Sequence, residues 1–449
     1  MKRKKFIQLS AALAASALAV PFRTHGQKPG MKNWAENLEY STSNVFYPKT
    51  VEEVRSTVKK LSKLRALGTR HCFNRIADSK DNLVSSAEMS KIISLDAKAR
   101  TVTVEGGIRY GELAPYLDEN GFALHNLASL PHISIAGSCA TATHGSGVKN
   151  GNLATEIHAL EMVIADGSVV ELTRERDREK LQAAAVGLGA LGVVTKVTLD
   201  LQPTFMMRQH VYEHLPMVQL KENFEKIMSA GYSVSLFTDW QSDSINEVWI
   251  KSRVEEAVDY SRKPEFFGAR AATKNMHPIA ANSAENCTEQ MGVPGPWYKR
   301  MPHFKMGFMP SNGRELQSEY FVPRSQAVEA MLAVSRLSKQ IGPHLFISEI
   351  RTIAADELWM SPCRKQDSVA IHFTWKQEWD AVSKLLPQIE KELEPFNLRP
   401  HWGKLFAMPA KKLASRYEML ADFRKLAAIY DPKGKFRNEF LDTTIFAGV

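Results

Sequence analysis

The chain has 449 residues, of which 44% are hydrophobic, 24% charged and 9% aromatic, and its formal charge at pH 7 is +9. This composition and length fit a globular protein of about two domains and exclude a disordered chain, a collagen and a coiled coil. Four of the positive charges, Lys2 to Lys5, precede the first acidic residue, and no longer basic run follows them, so the charge pattern argues against a nucleic-acid partner.

The N-terminus has the pattern of an export signal. Behind the basic cluster, the segment from Phe6 to Phe22 is uncharged and rich in Ala and Leu, which is short for a membrane span but typical of a signal-peptide core. Ala17-Leu18-Ala19 offers a cleavage site, and Arg3-Lys4-Lys5-Phe6-Ile7 is similar to a twin-arginine signal. We therefore expect residues 1–32 to be a signal peptide and linker, and the mature protein to be periplasmic or secreted without a stable membrane span. An uncleaved N-terminal anchor is the alternative.

The four cysteines, Cys72, Cys139, Cys287 and Cys363, are widely separated and form no C-x-x-C pair. No histidine cluster accompanies them, so neither a disulfide framework nor a metal site is expected. We predict four unpaired thiols.

The pattern after the leader alternates between short helices and strands. Thr50 and Glu53 form a capping box ahead of apolar residues at helical spacing, which predicts a helix of about three turns. Segments of alternating and β-branched residues predict strands. The expected fold class is α+β. The main predicted elements are strands 65–67 and 101–105, helix 110–120, strands 159–164, 168–172 and 193–201, strand 315–322, helix 325–341 and strand 369–375, with a loop over 127–152 and irregular structure over 264–300.

Gly187-x-Gly189-x-x-Gly192 matches the dinucleotide-binding pattern G-x-G-x-x-G. A Rossmann turn needs a strand before the glycines and a helix after them. Here a helical run over 178–185 precedes them and a strand follows, so the sequence predicts against a Rossmann cofactor site.

Two loops of small residues, 68–73 and 129–147, are better candidates for a cofactor site. Small residues let backbone N–H groups approach an anion, and hydroxyl groups add hydrogen bonds to a pyrophosphate without bulk. The hydroxyls that would do so belong to Ser134, Ser138, Thr141 and Thr143. A dinucleotide held by loops fits this pattern, and tight turns without a ligand are the alternative.

These loops belong to a series of motifs that occur in order along the chain. They are Asn33-Trp34-Ala35, Gly68-Thr69-Arg70-His71-Cys72-Phe73-Asn74, Ala128-Ser129-Leu130-Pro131-His132-Ile133-Ser134, Ala140-Thr141-Ala142-Thr143-His144-Gly145-Ser146-Gly147 and His401-Trp402-Gly403-Lys404. From about residue 33 to the C-terminus, the chain resembles the alditol oxidases of the vanillyl-alcohol-oxidase flavoprotein superfamily. Glu349-Ile350-Arg351-Thr352 and His372-Phe373-Thr374-Trp375 are similar to the polyol oxidase branch.

The resemblance implies a two-domain architecture. Residues 33–204 would form a PCMH-type FAD-binding domain, residues 205–400 an α+β substrate-binding cap with an antiparallel sheet, and residues 401–449 a C-terminal return that completes the FAD domain and the active site. It also implies that FAD is attached covalently through His71, with Ser129 in the region where some relatives carry a second, cysteinyl tether. The residues expected at FAD are Ala66, Leu67, Gly68, Thr69, Arg70, His71, Cys72, Ser129, Ser134, Gly137, Ser138, Thr141, Ala142, Thr143, His144 and Val194.

Strand alternation indicates a polar row in the cap. His372 and Thr374 share one face of their strand, as Glu349 and Arg351 share one face of theirs, and Gln317 lies on a third strand-like run. If the three strands are neighbours, these side chains form one floor of hydrogen-bonding groups, which a chain of hydroxyls requires. A buried Glu-x-Arg ion pair beside a core histidine is the alternative from the residues alone. The resemblance assigns all five to the active site, together with Ser129 and Lys404, with His372 in a catalytic role and the others in contact with substrate.

Oxidation of an alcohol requires a base and positive charge beside the developing alkoxide. We expect His372 to be the base, Arg351 and Lys404 to supply the charge, and Glu349 to accept hydrogen bonds from neighbouring hydroxyls. The implied reaction converts the terminal alcohol of xylitol or sorbitol to the aldose, with O2 as the acceptor and H2O2 as the product, by a monomeric protein. The alternatives are an aldonolactone oxidase or dehydrogenase of the same fold, a non-catalytic flavin or carbohydrate binder, and a quinone or cytochrome acceptor.

Overall fold

The structure, a computed structural model, describes residues 30–255, 263–307 and 314–448. The predicted signal sequence and cleavage site fall within residues 1–29, outside this range. In the described ranges, no helix combines the length and apolar character needed to cross a bilayer.

The N-terminal part contains a small parallel sheet and a five-stranded antiparallel sheet. The strand orders are β1-β3-β2 and β4-β5-β9-β7-β8, and a third pair joins β6 to β10. The elements are β1 (Val45–Phe46), α1 (Val51–Lys60), β2 (Arg65–Leu67), β3 (Leu83–Ser85), β4 (Ile92–Asp96), β5 (Thr101–Glu105), α2 (Tyr110–Glu119), β6 (Phe122–Ala123), α3 (Ile135–Cys139), β7 (Ile157–Val163), β8 (Val169–Thr173), α4 (Arg178–Ala185), β9 (Val193–Asp200) and β10 (Gln202–Pro203).

Helix α1 shows how local sequence sets an element here. The Thr50 side chain accepts a hydrogen bond from the Glu53 backbone N–H, which satisfies one free donor of the first turn. Val54 and Val58, one turn apart, are fully buried against β3 and β7. The Glu53 carboxylate accepts from the Lys49 backbone N–H rather than from that of Thr50, so the predicted capping box is only half formed. The Thr50 cap and the apolar spacing therefore define the start of the helix and its buried face.

The central part forms one large antiparallel sheet with the order β14-β15-β11-β13-β12-β18-β19-β17-β20. Helices pack against it, and three short helices follow it. The elements are β11 (Met206–Pro216), α5 (Met217–Met228), β12 (Ser233–Thr238), β13 (Ser244–Arg253), β14 (Glu265–Phe266), β15 (Ala269–Ala271), β16 (Gly295–Pro296), β17 (Glu315–Pro323), α6 (Ala327–Ser335), α7 (Ser338–Ile341), β18 (Leu345–Ile353), β19 (Ser368–Lys376), α8 (Trp379–Leu393), β20 (Arg399–Pro400), α9 (Ala410–Ala414), α10 (Leu420–Tyr430) and α11 (Glu439–Thr444).

The α+β prediction is confirmed, but two predicted elements were wrong in detail. The loop over 127–152 contains helix α3, whose five residues are too few to show a repeating apolar period. The helix predicted over 325–341 is divided into α6 and α7. At the break, Arg336 and Leu337 donate to carbonyls three residues back, which tightens the backbone and ends the regular α-helix.

The C-terminal segment returns to the N-terminal part. The buried Arg65 donates through Nη1 to the carbonyls of Gly189 and Phe436 and through Nη2 to that of Leu188. Lys435 donates to the carbonyls of Val58 and Ala165. These bonds join the end of the chain to β2 and to the glycine-rich turn before β9. All four cysteines are described, and none is paired.

Candidate active site

A long cavity lies between the two small-residue loops of the N-terminal part and one face of the large sheet. It contains about 2070 Å³ of empty space, including its opening to solvent. The first loop, the second loop and the glycine-rich turn border one part of it. The polar side chains of β17, β18 and β19 border another part.

Hydrogen bonds from separate motifs hold the first loop in place. The Asn33 side chain donates to the carbonyl of Cys72, and the Trp34 backbone N–H donates to that of Arg70. On the other side, Asn74 donates to the carbonyls of Trp402 and Lys404. The motifs at residues 33–35 and 401–404 thus both hold the loop formed by the motif at residues 68–74.

His71 faces the cavity from this loop. Its ring stacks on Trp34, with centroids 5.3 Å apart and an interplanar angle of 21°. Nδ1 lies 3.1 Å from Thr69 Oγ1, whereas Nε2 is buried without a hydrogen-bond partner. Burial, together with nearby His132, lowers the pKa of His71 to about 4, so the ring is neutral at pH 7. A neutral imidazole with an unsatisfied nitrogen is well suited to bind a further group.

The second loop approaches the first closely. A Cβ on Gly68 would lie 2.8 Å from Ser134 Oγ, and one on Gly137 would lie 2.9 Å from the same atom, so a side chain at either position would displace that hydroxyl group. Thr69 Oγ1 accepts a hydrogen bond from the Ser134 backbone N–H across the junction. Ser134 Oγ is itself buried without a partner.

Most of the residues predicted at FAD border the cavity. Ser134 and Ala142 do not, and both are buried behind its wall. The bordering residues are Ala66, Leu67, Gly68, Thr69, Arg70, His71, Cys72, Ser129, Gly137, Ser138, Thr141, Thr143, His144 and Val194. The many small residues among them, together with the unsatisfied buried Nε2 of His71, fit a large polar cofactor with a narrow pyrophosphate.

The glycine-rich turn at residues 187–192 borders the cavity, although the sequence did not predict it at the cofactor. As predicted, a helix precedes Gly187-x-Gly189-x-x-Gly192 and a strand follows it, so it is not a Rossmann turn. All three glycines nevertheless border the cavity. Their small size is the signal that could have placed them there.

The sheet brings the predicted substrate residues together. In the antiparallel register, His372 is opposite Glu349 on one side and Glu319 on the other, and Thr374 is opposite Gln317. Directly opposite residues share a face of the sheet. Seven predicted residues border one cavity: Ser129, Gln317, Glu349, Arg351, His372, Thr374 and Lys404.

Glu319, which the sequence argument did not identify, lies at the centre of the charges. Its Oε1 accepts from Arg351 Nη2 at 2.7 Å, and its Oε2 accepts from Lys404 Nζ at 2.6 Å. Burial alone would raise the pKa of Glu319, but Lys404, His144 and Arg351 outweigh it and hold the pKa well below 4.5. Glu319 is therefore an anion that fixes the two cations of the site.

Glu349 is the second buried anion. Burial would raise its pKa, but Arg351 and His303 hold it well below its ordinary value. Its Oε1 accepts from His303 Nε2 at 2.7 Å, and its Oε2 lies 3.5 Å from Arg351 Nε. His303, in an irregular segment, is a further residue that the sequence argument missed. The pKa of Arg351 is lowered by burial but raised more by Glu349 and Glu319, so Arg351 stays charged.

His372 is neutral and oriented. Burial and nearby Lys404 hold its pKa well below 6.5. Its Nε2 lies 3.0 Å from Gln317 Oε1, and Gln317 Nε2 donates to Glu315 Oε1 at 2.5 Å. This places the ring proton on Nε2 and leaves the lone pair on Nδ1, which is buried without a partner.

One group among the described residues has the spacing of a metal site. Ligand atoms of His144, Glu319 and His401 lie within 4.8 Å of one another. Since Arg351 and Lys404 already occupy the Glu319 carboxylate, their charges would repel a metal cation.

Two known families match different parts of the chain. Residues 42–173 match the model of a FAD binding domain, and residues 302–444 match that of D-arabinono-1,4-lactone oxidase. The first match identifies FAD as the cofactor that the N-terminal loops fit.

Relatives extend over nearly the whole chain. An alditol oxidase from Streptomyces sp. is 47% identical over 412 residues, covering 91% of this chain and 97% of that protein. The L-gulonolactone oxidase of Mus musculus is 25% identical over 450 residues, covering 94% of this chain and 100% of that protein. A cholesterol oxidase from B. sterolicum has a similar fold, with a TM-score of 0.75 at 14% identity, covering 93% of this chain and 96% of that one. These matches confirm the predicted fold class.

Proposed function

Since the chain belongs to the alditol oxidase family of FAD-dependent oxidoreductases, we propose that it oxidises the terminal primary alcohol of an alditol such as xylitol or sorbitol to the aldose. The observation that carries this proposal is the polar row on β17, β18 and β19, which faces the same cavity as the two small-residue loops. A substrate made of consecutive hydroxyl groups needs such a row of donors and acceptors.

The small-residue loops and the glycine-rich turn would hold the cofactor. Bound FAD supplies the two-electron acceptor for the hydride that leaves the terminal carbon. We include in the proposal a covalent attachment through His71, supported by its neutral ring and its unsatisfied nitrogen.

The side chains of the sheet handle the proton and the charge. His372 Nδ1 takes the proton of the reacting hydroxyl, because its lone pair is free and its ring is held by Gln317. Arg351 and Lys404 place positive charge where the alkoxide develops. Glu319 keeps both cations in position through its two oxygens.

The remaining polar groups orient the substrate chain. Glu349 accepts hydrogen bonds from hydroxyls next to the reacting carbon, and Thr374 and Ser129 add hydroxyl groups to the wall. Gln317 retains one N–H for the substrate, because its other amide bonds hold His372 and Glu315. Holding several hydroxyls determines which carbon is oxidised.

The overall reaction removes two electrons and two protons from the alcohol. We propose O2 as their final acceptor, which yields one aldehyde and one H2O2 for each alcohol oxidised. Formation of peroxide is compatible with the periplasmic or secreted location that the N-terminal pattern of residues 1–32 indicates. Mass determination of the N-terminus of the exported protein tests the cleavage.

A second candidate is aldonolactone oxidation, favoured by the match of residues 302–444 to D-arabinono-1,4-lactone oxidase. Steady-state peroxide formation with xylitol, sorbitol and L-gulono-1,4-lactone separates the two. We expect the highest kcat/KM on a polyol, whereas higher kcat/KM on the lactone would favour the second candidate. Absence of turnover on all three would indicate a binding protein.

A further inference from the structure

A hydrogen-bonded chain of three buried residues leads from the cavity wall into the sheet. His303 Nε2 lies 2.7 Å from Glu349 Oε1, and His303 Nδ1 lies 2.9 Å from Lys251 Nζ. Lys251 is on β13 and Glu349 on β18, while His303 lies in the segment before β17. His303 and Glu349 border the cavity, and Lys251 lies behind them.

The chain has one internally consistent set of hydrogens. Glu349 is an anion and can only accept, so the neutral His303 ring carries its proton on Nε2. His303 Nδ1 then has a free lone pair and accepts from Lys251 Nζ. The other two donors of Lys251 are satisfied by the carbonyls of Met301 at 2.6 Å and Pro302 at 3.0 Å. Three donors thus meet three acceptors, and His303 Nε2–H points at the Glu349 carboxylate.

Packing fixes the plane of the His303 ring. Aromatic rings surround it edge-on, with centroid distances of 5.1 Å to Trp249 and 5.5 Å to Phe237. The His303 backbone N–H donates to the carbonyl of Ser129 at 3.2 Å, which attaches the segment to the second loop. The ring cannot rotate without breaking this packing.

We propose that His303 and Lys251 are positioning residues that immobilise one oxygen of Glu349 and so determine where along its chain the substrate must carry a hydroxyl. This inference rests on the proposed function and deepens it. With Oε1 occupied by His303 and Oε2 beside Arg351, the carboxylate cannot rotate to follow a misplaced hydroxyl. The site therefore recognises a polyol by a fixed acceptor.

The electrostatics favour a neutral His303 but oppose the charge on Lys251, which the three acceptors around Nζ stabilise. Burial lowers the pKa of Lys251 to about 7, although the Glu349 charge opposes this shift. Burial and nearby Lys251 lower the pKa of His303 to about 4, so its ring is neutral at pH 7. A neutral His303 can accept from Lys251 and donate to Glu349 at the same time.

Steady-state kinetics on the holoenzyme test the inference. His303→Phe removes both hydrogen bonds, and we expect about tenfold lower kcat/KM for xylitol, mostly through a higher KM. His303→Gln keeps an N–H donor toward Glu349 and should restore much of the loss. In a Glu349→Gln background, His303→Phe should change kcat/KM by no more than about twofold, because it acts through that carboxylate.

A second pair of variants addresses Lys251. Lys251→Met should raise KM for xylitol, as His303→Phe does, and Lys251→Arg should raise it less. The control is Cys287→Ala, a substitution in the buried cluster around Trp249. It alters no hydrogen bond among Lys251, His303 and Glu349 and should leave the kinetics unchanged. Equal KM for wild type and His303→Phe, or an undiminished effect of His303→Phe in the Glu349→Gln background, would overturn the inference.

A readout without turnover separates this inference from the proposed function. In holoenzyme labelled with ¹⁵N at histidine, the resonances missing from His303→Phe identify the ring nitrogens of His303. We expect an unprotonated Nδ1 whose shift changes in Lys251→Met. A protonated Nδ1 would overturn the inference even if xylitol is oxidised. If xylitol is not oxidised but the shifts are as expected, the proposed function fails. The inference that Lys251 and His303 orient Glu349 is then still supported.

Discussion

His372 Nε2 lies 3.0 Å from Gln317 Oε1, and this contact leaves the buried His372 Nδ1 without a partner. Gln317 Nε2 donates to Glu315 Oε1, so the Gln317 amide cannot flip without breaking this hydrogen bond. The histidine therefore presents its basic nitrogen in one orientation before any substrate arrives. Preorganisation of this kind lowers the reorganisation that the reaction requires.

Replacement of His372 should remove the base. We expect His372→Asn to lower kcat with xylitol by about 10²- to 10⁴-fold, with a much smaller change in KM. Single-turnover reduction of the flavin by xylitol measures this directly. A loss of less than about tenfold would assign the proton to another group.

The pH profile gives a separate check on His372. Its pKa is held well below 6.5 by burial, so it stays unprotonated as the pH falls through that value. The acidic decline of kcat/KM should therefore lie below pH 6.5. A decline centred at 6.5 that disappears in His372→Asn would contradict this environment.

Glu319 should matter for stability as well as for activity. Glu319→Gln leaves Arg351 and Lys404 without their shared anion, which we expect to cost about 3 kcal/mol of unfolding free energy. Because the pKa of folded Glu319 lies below 4.5, its contribution is fully present above about pH 4.5 and is lost as the pH falls toward the folded pKa. Thermal unfolding of both holoproteins should show a gap that narrows below that pH. A gap independent of pH would contradict the ion-pair account.

Lys404 should set an alkaline limit. Burial lowers its pKa from 10.5, even though Glu319 opposes the shift, so its charge is lost at a lower pH than that of an exposed lysine. We expect kcat/KM to decline on the alkaline side with a midpoint below 10.5 and Lys404→Arg to move that decline upward, because arginine keeps its proton. An unchanged profile in Lys404→Arg would show that a different group titrates.

The yellow colour of the flavin shows whether the cofactor is covalently attached to the protein. Acid precipitation of the wild-type protein should leave the flavin with the polypeptide, whereas His71→Ala should release it. Cys72→Ala, a matched change at the next residue, should retain it. Release of flavin from the wild-type protein would establish a non-covalent cofactor.

The sequence could predict those parts of the site that lie on regular strands. The period of two along β19 places His372 and Thr374 on one face, and the same rule applied to β17 places Glu315 and Glu319 beside Gln317. Glu319 could thus have been found from alternation. His303 could not, since it lies in irregular structure where no period exists, and its role depends on contacts with strands distant in sequence. Helix α3 also escaped prediction, because its five residues are too few to show a repeating apolar period.

The most direct test of the central claim is anaerobic addition of xylitol to the purified, oxidised holoprotein. If the cavity bordered by His71 and the row of Glu349, Arg351 and His372 is one active site, the flavin absorbance at about 450 nm should disappear within the time of turnover. In the Glu349→Gln and His372→Asn proteins, the absorbance of the oxidised flavin should disappear far more slowly. An absorbance that persists in the wild-type protein with xylitol and with sorbitol would contradict the account.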